Sequence, residues 1–211
     1  MQREALSAME KLTDSTDDDA AWRGMTFYSA VTAKDLWAAG ALTPQQVSDE
    51  TAAATARLAE AGWPHTGAMT KVLVSQTAEE GGFQLHYVWF KPNWVLRRHH
   101  HPADCLYYVV SGTAHMGRRV LKAGDSFFVP SGVQYQYSAG PEGCEVLEIR
   151  RGSKIVDTVV AEHSPAQWDR MVETMRDNRE AWEQLRLSPT FANRNDDVPV
   201  THAVLGPDDA R

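Results

Sequence analysis

The sequence predicts a mainly β protein, an antiparallel sandwich or barrel with α-helical extensions at both ends. Between residues 68 and 160, short β-rich runs follow one another, with Gly, Pro, Asn or Asp between most of them. This spacing is typical of an antiparallel sandwich or barrel, and helical periodicity lies on either side of it. We therefore divide the chain into an N-terminal helical extension over 1–66, a β-barrel over 67–161, and a C-terminal helix and tail over 162–211.

The N-terminal extension is rich in alanine, and its clearest helix start is the stretch TPQQ at residues 43–46. Thr43 is the expected N-cap, Pro44 suits the first helical position, and the second glutamine completes a capping box. We expect this helix to end by Gly62, before the next proline.

The β-rich runs cover residues 71–76, 83–90, 94–101, 106–111, 113–121, 126–129, 135–138, 145–149 and 155–160. Gly112 and Gly132 are expected to separate strands of hairpins. Side chains alternate along a strand, but the sequence leaves open which face of the run 85–90 points inward.

A second helix start occurs at the stretch SPAQ, residues 164–167, and apolar residues follow it at helical spacing. They are Trp168, Met171, Val172, Met175, Trp182 and Leu185. We expect this stripe to pack against the barrel or a second subunit. The tail after Ser188 is rich in Asn, Asp and Pro, which is typical of a loop.

The overall composition excludes some functions. The 211 residues carry a formal net charge of −7, whereas nucleic-acid binding needs a basic surface, so no nucleic-acid partner is expected. No apolar run approaches the roughly 18 residues of a membrane span, and the first residues lack the apolar stretch of a signal peptide. We expect a cytoplasmic protein without a membrane partner, whose two cysteines are available as thiols.

Three of the eight histidines are consecutive, at positions 99 to 101. On a strand, Arg97, His99 and His101 share one face and His100 lies on the other. Two imidazoles at positions i and i+2 can reach one cation, and they are largely neutral near pH 7. On these residues alone, a solvated polar patch explains the cluster equally well.

The histidine run opens a stretch that resembles the first motif of the cupin superfamily, G-x5-H-x-H-x3-4-E-x6-G. It reads His99-x-His101-Pro102-x-x-Cys105-x-x-Tyr108-Val109-Val110-x-Gly112. About a dozen residues later, Gly124-Asp125-x4-Pro130-x-Gly132-x2-Tyr135 resembles the second motif, G-x5-P-x-G-x2-H-x3-N. The resemblance covers roughly residues 70–150 and implies a cupin-type antiparallel β-barrel, a jelly roll or double-stranded β-helix.

The departures from the family pattern fall on its metal-ligand positions. Cys105 stands where the glutamate is usual and Tyr135 where the second-motif histidine is usual, so only His99 and His101 of four ligands remain. Two positions outside the ligand set also differ, with Asn93 at the first glycine and Ala139 at the final asparagine.

Three arrangements stay open at this site. The two histidines bind a divalent ion (Fe, Zn, Mn or Ni) together with Cys105 or Tyr135, where a thiolate favours zinc and a phenolate favours iron. Alternatively, the site is degenerate and the barrel binds a small molecule without a metal. In the third arrangement another histidine, such as His86 or His115, enters from a neighbouring strand.

The resemblance implies a metal-dependent enzyme of dioxygenase, lyase or isomerase type that acts on a small organic substrate, carboxylate-bearing or aromatic. Tyr135 would ligate the metal or act as general acid or base, and Arg97 would orient the substrate. The alternative is a non-catalytic cupin that binds or senses a small ligand. Many cupins pair through an edge strand or a swapped segment, so a homodimer is expected.

Overall fold

The computed structural model describes residues 26–41, 45, 47–77, 79–151 and 158–193. Contacts divide the chain into two units. One consists of Met1–Tyr28 and Asp197–Arg211, of which only residues 26–28 are described, and the other is Ser29–Asp196. Every element and contact considered below belongs to the second unit.

The elements of this unit are eight strands and three helices among the described residues. In chain order they are α1 (Asp49–Glu60), β1 (Ala68–Ser75), β2 (Phe83–Phe90), β3 (His99–His100), β4 (Cys105–Met116), β5 (Arg119–Lys122), β6 (Ser126–Val129), β7 (Ser138–Arg151), β8 (Val159–Val160), α2 (Pro165–Gln184) and α3 (Pro189–Ala192).

The strands form two sheets. Six strands make one sheet in the order β1, β2, β7, β4, β5, with β6 also paired to β4, and β3 pairs with β8 in a second sheet. Every pairing is antiparallel. Single bridges from Val95 to Ser138 and from His99 to Tyr135 bring the histidine run to the segment before β7. The predicted mainly β, antiparallel barrel with helical extensions is confirmed.

Two strands are longer than the sequence predicts. β4 passes through Gly112, which was expected to end a strand, and β7 begins at Ser138 and continues past the predicted break to Arg151. Gly112 has φ 68°, and a Cβ there would lie 2.1 Å from the Gly143 carbonyl oxygen. This glycine therefore serves a close backbone approach at a register shift between β4 and β7.

The predicted strand over 94–101 is regular only at its end, in β3. Before it, the chain is held by separate backbone bonds, such as Leu96 N–H to the Tyr137 carbonyl at 3.0 Å. Asn93, at the usual glycine position, adopts φ 62°. Asparagine tolerates this left-handed backbone better than other residues with a side chain, so the turn keeps its geometry.

Helix α1 starts later than predicted. Its N-cap is Ser48, whose hydroxyl accepts the Thr51 N–H, so a start at Thr43 is wrong. Thr43 itself, with residues 44 and 46, lies outside the described residues. The helix ends at Glu60, and Gly62 follows with φ 107°, as expected from the glycine signal.

Helix α2 begins as predicted, with a capping box between Ser164 and Gln167. Its apolar stripe belongs to the barrel core, where the Trp182 and Trp94 rings lie 5.3 Å apart, while Leu185 at the C-cap is 40 % exposed. The expected packing against the barrel is confirmed, and a homodimer stays a prediction. Within the described ranges, no helix has the length and apolarity needed to cross a membrane.

Candidate functional site

A cavity of about 950 Å³ opens beside the histidine run. His99 and His101 both line it and are each 5 % exposed, whereas His100 is not among its lining residues. The alternation expected for this run is therefore observed. On β2, His86 lines the cavity while the Tyr87 hydroxyl reaches the opposite face of the sheet, so the even-numbered residues of β2 point inward.

Glu148 on β7 is the acidic residue that lies beside His101 in this cavity. Its contacts all involve one oxygen, Oε1, which accepts the Tyr107 O–H at 3.0 Å, lies 3.1 Å from an Arg150 nitrogen, and lies 3.6 Å from His101 Nε2. The other oxygen, Oε2, accepts no hydrogen bond from the described residues. One carboxylate oxygen therefore remains available for a ligand or an ion.

The charge of Glu148 is fixed by its neighbours. Burial alone would raise the pKa of this carboxyl, but the positive charge of Arg150, followed by His101 and His86, outweighs burial and lowers the pKa to about 2. The group is therefore a carboxylate at neutral pH, which is the form that binds cations.

Three side chains form a candidate metal centre. His101, Cys105 and Glu148 each place one ligand atom within 4.8 Å of the other two. His101 Nε2 lies 3.6 Å from Glu148 Oε1, so the imidazole and the carboxylate are neighbours in this group. A nitrogen, sulfur and oxygen donor set fits zinc or another borderline divalent metal.

Cys105 is 1 % exposed, and burial raises the pKa of its thiol to about 11. Its Sγ–H donates to the Ala103 carbonyl at 3.5 Å. A bound divalent cation would favour the thiolate over this thiol. The other cysteine, Cys144, is equally buried but does not belong to the three-residue group.

His99, predicted as a ligand with His101, lies beside the group and not within it. Its ring centroid is 4.9 Å from that of His101. Its Nδ1 is 2.7 Å from the Arg97 carbonyl, which can only accept, so Nδ1 carries the proton and Nε2 keeps a lone pair. Burial, and then His101, lowers the pKa of His99 to about 4, so this ring is neutral at pH 7.

Tyr135 belongs to a chain of hydroxyls that ends on Glu148. Because Tyr107 donates its proton to the Glu148 carboxylate, Tyr135 is the donor in the short hydrogen bond between the two phenols. The Tyr135 ring also lies 4.5 Å from the His99 ring. Burial raises the pKa of both tyrosines well above the usual value, so both phenols hold their protons.

Residues 86–150 match a family model described as a cupin domain. The barrel is a cupin domain. Similar solved structures include an RmlC-like cupin from Shewanella frigidimarina, at 26 % identity over 43 % of this chain and 80 % of that chain, with a TM-score of 0.38. KdgF from Halomonas sp. is 17 % identical over 60 % of this chain and 93 % of that chain, with a TM-score of 0.41. No curated protein gives a significant match.

A further similar structure is the polyketide cyclase RemF from Streptomyces resistomycificus, at 15 % identity. The match covers 74 % of this chain and 98 % of that chain, with a TM-score of 0.45.

His86 is not suited to ligate an ion in this cupin domain. An Arg150 nitrogen lies 3.2 Å from its Nδ1, and a guanidinium can only donate, so a neutral His86 carries its proton on Nε2. Burial lowers the pKa of His86 to about 4. His115 bonds to Thr113 Oγ1 at 3.1 Å and does not line the cavity. The arrangement with a further histidine therefore has no support in the geometry.

Three residues of the site were missed by reasoning from the sequence. Glu148 lies within the predicted run 145–149 and Arg150 directly after it, but both lie beyond the second cupin motif. Tyr107 shares a face of β4 with Cys105, and alternation from the ligand position was a signal that could have found it.

Proposed function

We propose that this cupin domain is a metal-dependent enzyme that acts on a small organic substrate. The observation that carries the proposal is the convergence of His101, Cys105 and Glu148 beside a cavity of about 950 Å³. A cavity of this size accommodates a small organic molecule, since ligand sites commonly span about 300–1,000 Å³.

His101, Cys105 and Glu148 would hold the ion, with His99 Nε2 as the proposed fourth ligand. The mixed donor set favours zinc over iron, manganese or nickel. When bound, the ion supplies Lewis-acid polarisation of a substrate oxygen. The Arg97 carbonyl orients the His99 ring through Nδ1, as the second-shell partners of ligating histidines do.

Tyr135 is the proposed general acid. Its phenol is protonated and ends a hydroxyl chain, so it can turn from Tyr107 to a substrate and deliver a proton there. The Tyr107 hydroxyl stays on Glu148 and holds that carboxylate in place. A protonated tyrosine pair favours a lyase or an isomerase over a dioxygenase, because those reactions require a proton at a defined substrate atom.

Metal analysis of freshly purified protein by mass spectrometry tests this proposal. We expect about one divalent ion per chain in the wild type and loss of the ion in Cys105→Ser and in His101→Ala. Cys144→Ser is the matched control, since it changes an equally buried cysteine outside the site and should keep the ion. A folded, metal-free wild type that takes up no added Zn²⁺, Fe²⁺, Mn²⁺ or Ni²⁺ would contradict the proposal.

One observation favours a second candidate, a non-catalytic cupin that binds a small ligand. Arg150 already supplies a positive partner for Glu148 at 3.1 Å, so the carboxylate has a counter-ion without a metal. A metal-free protein that still binds small organic molecules in the cavity would favour this candidate over the enzyme.

A further inference from the structure

Arg97 carries a charge that the described residues leave unmatched. Its side chain lines the cavity and forms no ion pair within the described part of the chain. Burial lowers the pKa of this guanidinium to about 10, but it remains a cation at neutral pH. A partly buried cation without a counter-ion is costly, so a site of this kind is suited to an anion that arrives with a ligand.

We propose that the enzyme recognises a carboxylate group of its substrate at a subsite made by Arg97, Trp63 and Thr55. This inference rests on the proposed function for the reaction, but the binding itself uses Arg97 and needs no ion. We call these three residues the Arg97 subsite.

The Arg97 subsite is held in place before any ligand arrives. The guanidinium carbon lies 4.1 Å from the centre of the Trp63 ring, and Nη1 donates to Thr55 Oγ1 at 3.2 Å. Within the described residues, the guanidinium makes no other side-chain hydrogen bond or ion pair. The guanidinium is thus stacked on the Trp63 ring through one face, and its remaining N–H groups can pair with a carboxylate.

Helix α1 positions the Thr55 side of the subsite. Ser48 and Thr51 at the start of the helix each donate to Glu162, both at 3.0 Å. Near the end of the helix, Arg57 pairs with Asp169 of α2 at 2.7 Å. Thr55 and Trp63 precede residue 86, so the subsite adds residues of the N-terminal extension to the region that matches the cupin family.

A carboxylate fits this subsite better than a phosphate. One guanidinium fork matches the two oxygens of a carboxylate, whereas a dianionic phosphate calls for further cations, and Arg150 is engaged by Glu148. The aromatic Tyr137 and Trp94 also line the cavity. An aromatic acid therefore suits both the aromatic lining of the cavity and the cation of the Arg97 subsite.

Binding of three probes, measured by calorimetry at pH 7, tests the inference. The probes are benzoate, its neutral analogue benzamide, and inorganic phosphate. We expect benzoate to bind at least about tenfold more tightly than benzamide, and Arg97→Gln to remove that preference. Arg97→Lys should keep a weaker preference because the charge remains without the fork. Arg118→Gln, which changes an exposed arginine outside the cavity, is the control and should leave binding unchanged.

Each measurement is made before and after treatment with a chelator. Benzoate binding that survives metal removal and depends on Arg97 supports the subsite even if the enzyme proposal fails. Equal affinity for benzoate and benzamide, tighter binding of phosphate than of benzoate, unchanged binding in Arg97→Gln, or no binding of any probe would overturn the inference.

Discussion

Two buried glutamates on the same strand, Glu145 and Glu148, have opposite surroundings. Glu145 is fully buried on the outer face of the sheet, and among the described residues its hydrogen-bond donors are all neutral. Glu148 lies on the inner face, beside a guanidinium, an imidazole and a phenol. The same residue type therefore has a structural role on one face of β7 and a proposed metal-binding role on the other.

The donors to Glu145 saturate both of its oxygens. Oε1 accepts the Tyr87 hydroxyl and the Thr190 N–H at 3.0 Å, while Oε2 accepts the Ser111 hydroxyl and the Thr190 hydroxyl at 2.6 Å. Phe191 stacks on Tyr87 with ring centroids 4.9 Å apart. These contacts hold α3 against the sheet. Both oxygens of Glu145 already accept two hydrogen bonds each from the described residues.

The comparison shows how a structural carboxylate differs from a functional one. Hydrogen bonds lower the pKa of Glu145 against the effect of burial, whereas nearby charges do so for Glu148. Only Glu148 keeps an oxygen, Oε2, without a donor from the described residues. A free oxygen and charged neighbours thus distinguish the proposed metal ligand from the structural carboxylate more clearly than burial does.

Exchanging each carboxylate for an amide should separate the two roles. Glu148→Gln should lower the bound metal by about tenfold or more, because it neutralises a ligand. Glu145→Gln should leave the metal unchanged but cost about 3 kcal/mol of unfolding free energy, since its amide NH₂ would face hydrogen-bond donors. At about 2–4 °C per kcal/mol for a chain of this length, the melting temperature should fall by about 6–12 °C.

Glu148→Gln also removes the counter-ion of Arg150, which is then buried without a partner charge. The double variant Glu148→Gln/Arg150→Gln controls for this effect. It should recover stability relative to Glu148→Gln without recovering metal. The comparison is wrong if Glu145→Gln loses the ion while remaining folded, or if Glu148→Gln retains it.

Removing one tyrosine hydroxyl that donates a hydrogen bond to each glutamate tests the same contrast. Tyr87→Phe should cost about 2 kcal/mol in chemical denaturation, because Glu145 loses one of its donors. Tyr107→Phe should instead weaken metal binding by about 10–100-fold in competition with a chelator, as changes to second-shell partners do. Equal losses of stability with no change in metal affinity would show that both phenols are structural.

The smallest expected effect is a difference between the wild type and Glu145→Gln in how the melting temperature depends on acid pH. The lowered pKa of Glu145 means that its ionised form stabilises the folded state above the unfolded pKa of about 4.3, and that this contribution is lost as pH falls toward the folded value. The melting temperature of the wild type should therefore fall more steeply below about pH 4.5 than that of Glu145→Gln. Parallel pH profiles for the two proteins would contradict this role.

The fold could be predicted from the sequence because turn residues and alternation report local backbone geometry. The missed features depend on distant contacts. Gly112 is a strand residue because its backbone meets Gly143, and nothing local distinguishes that role from a turn. The start of α1 moved to Ser48 although TPQQ offers a complete local signal, since Glu162 binds Ser48 and Thr51 from 111 or more residues away.

The candidate site was predictable only where it follows the cupin motifs. His99, His101, Cys105 and Tyr135 all came from those positions, and they do lie near one another in the structure. Glu148 could not be found in this way, because sequence spacing does not show that β7 pairs with β4 and brings Glu148 opposite Tyr107.

The optical spectrum of the cobalt-substituted protein tests the central claim most directly, since it reports whether a thiolate binds the metal. The apoprotein is loaded with Co²⁺ and compared with Cys105→Ser and Cys144→Ser. We predict a thiolate-to-cobalt charge-transfer band in the near ultraviolet for the wild type and for Cys144→Ser, and none for Cys105→Ser. A cobalt-loaded wild type without that band, or a band that persists in Cys105→Ser, would contradict the metal centre of His101, Cys105 and Glu148.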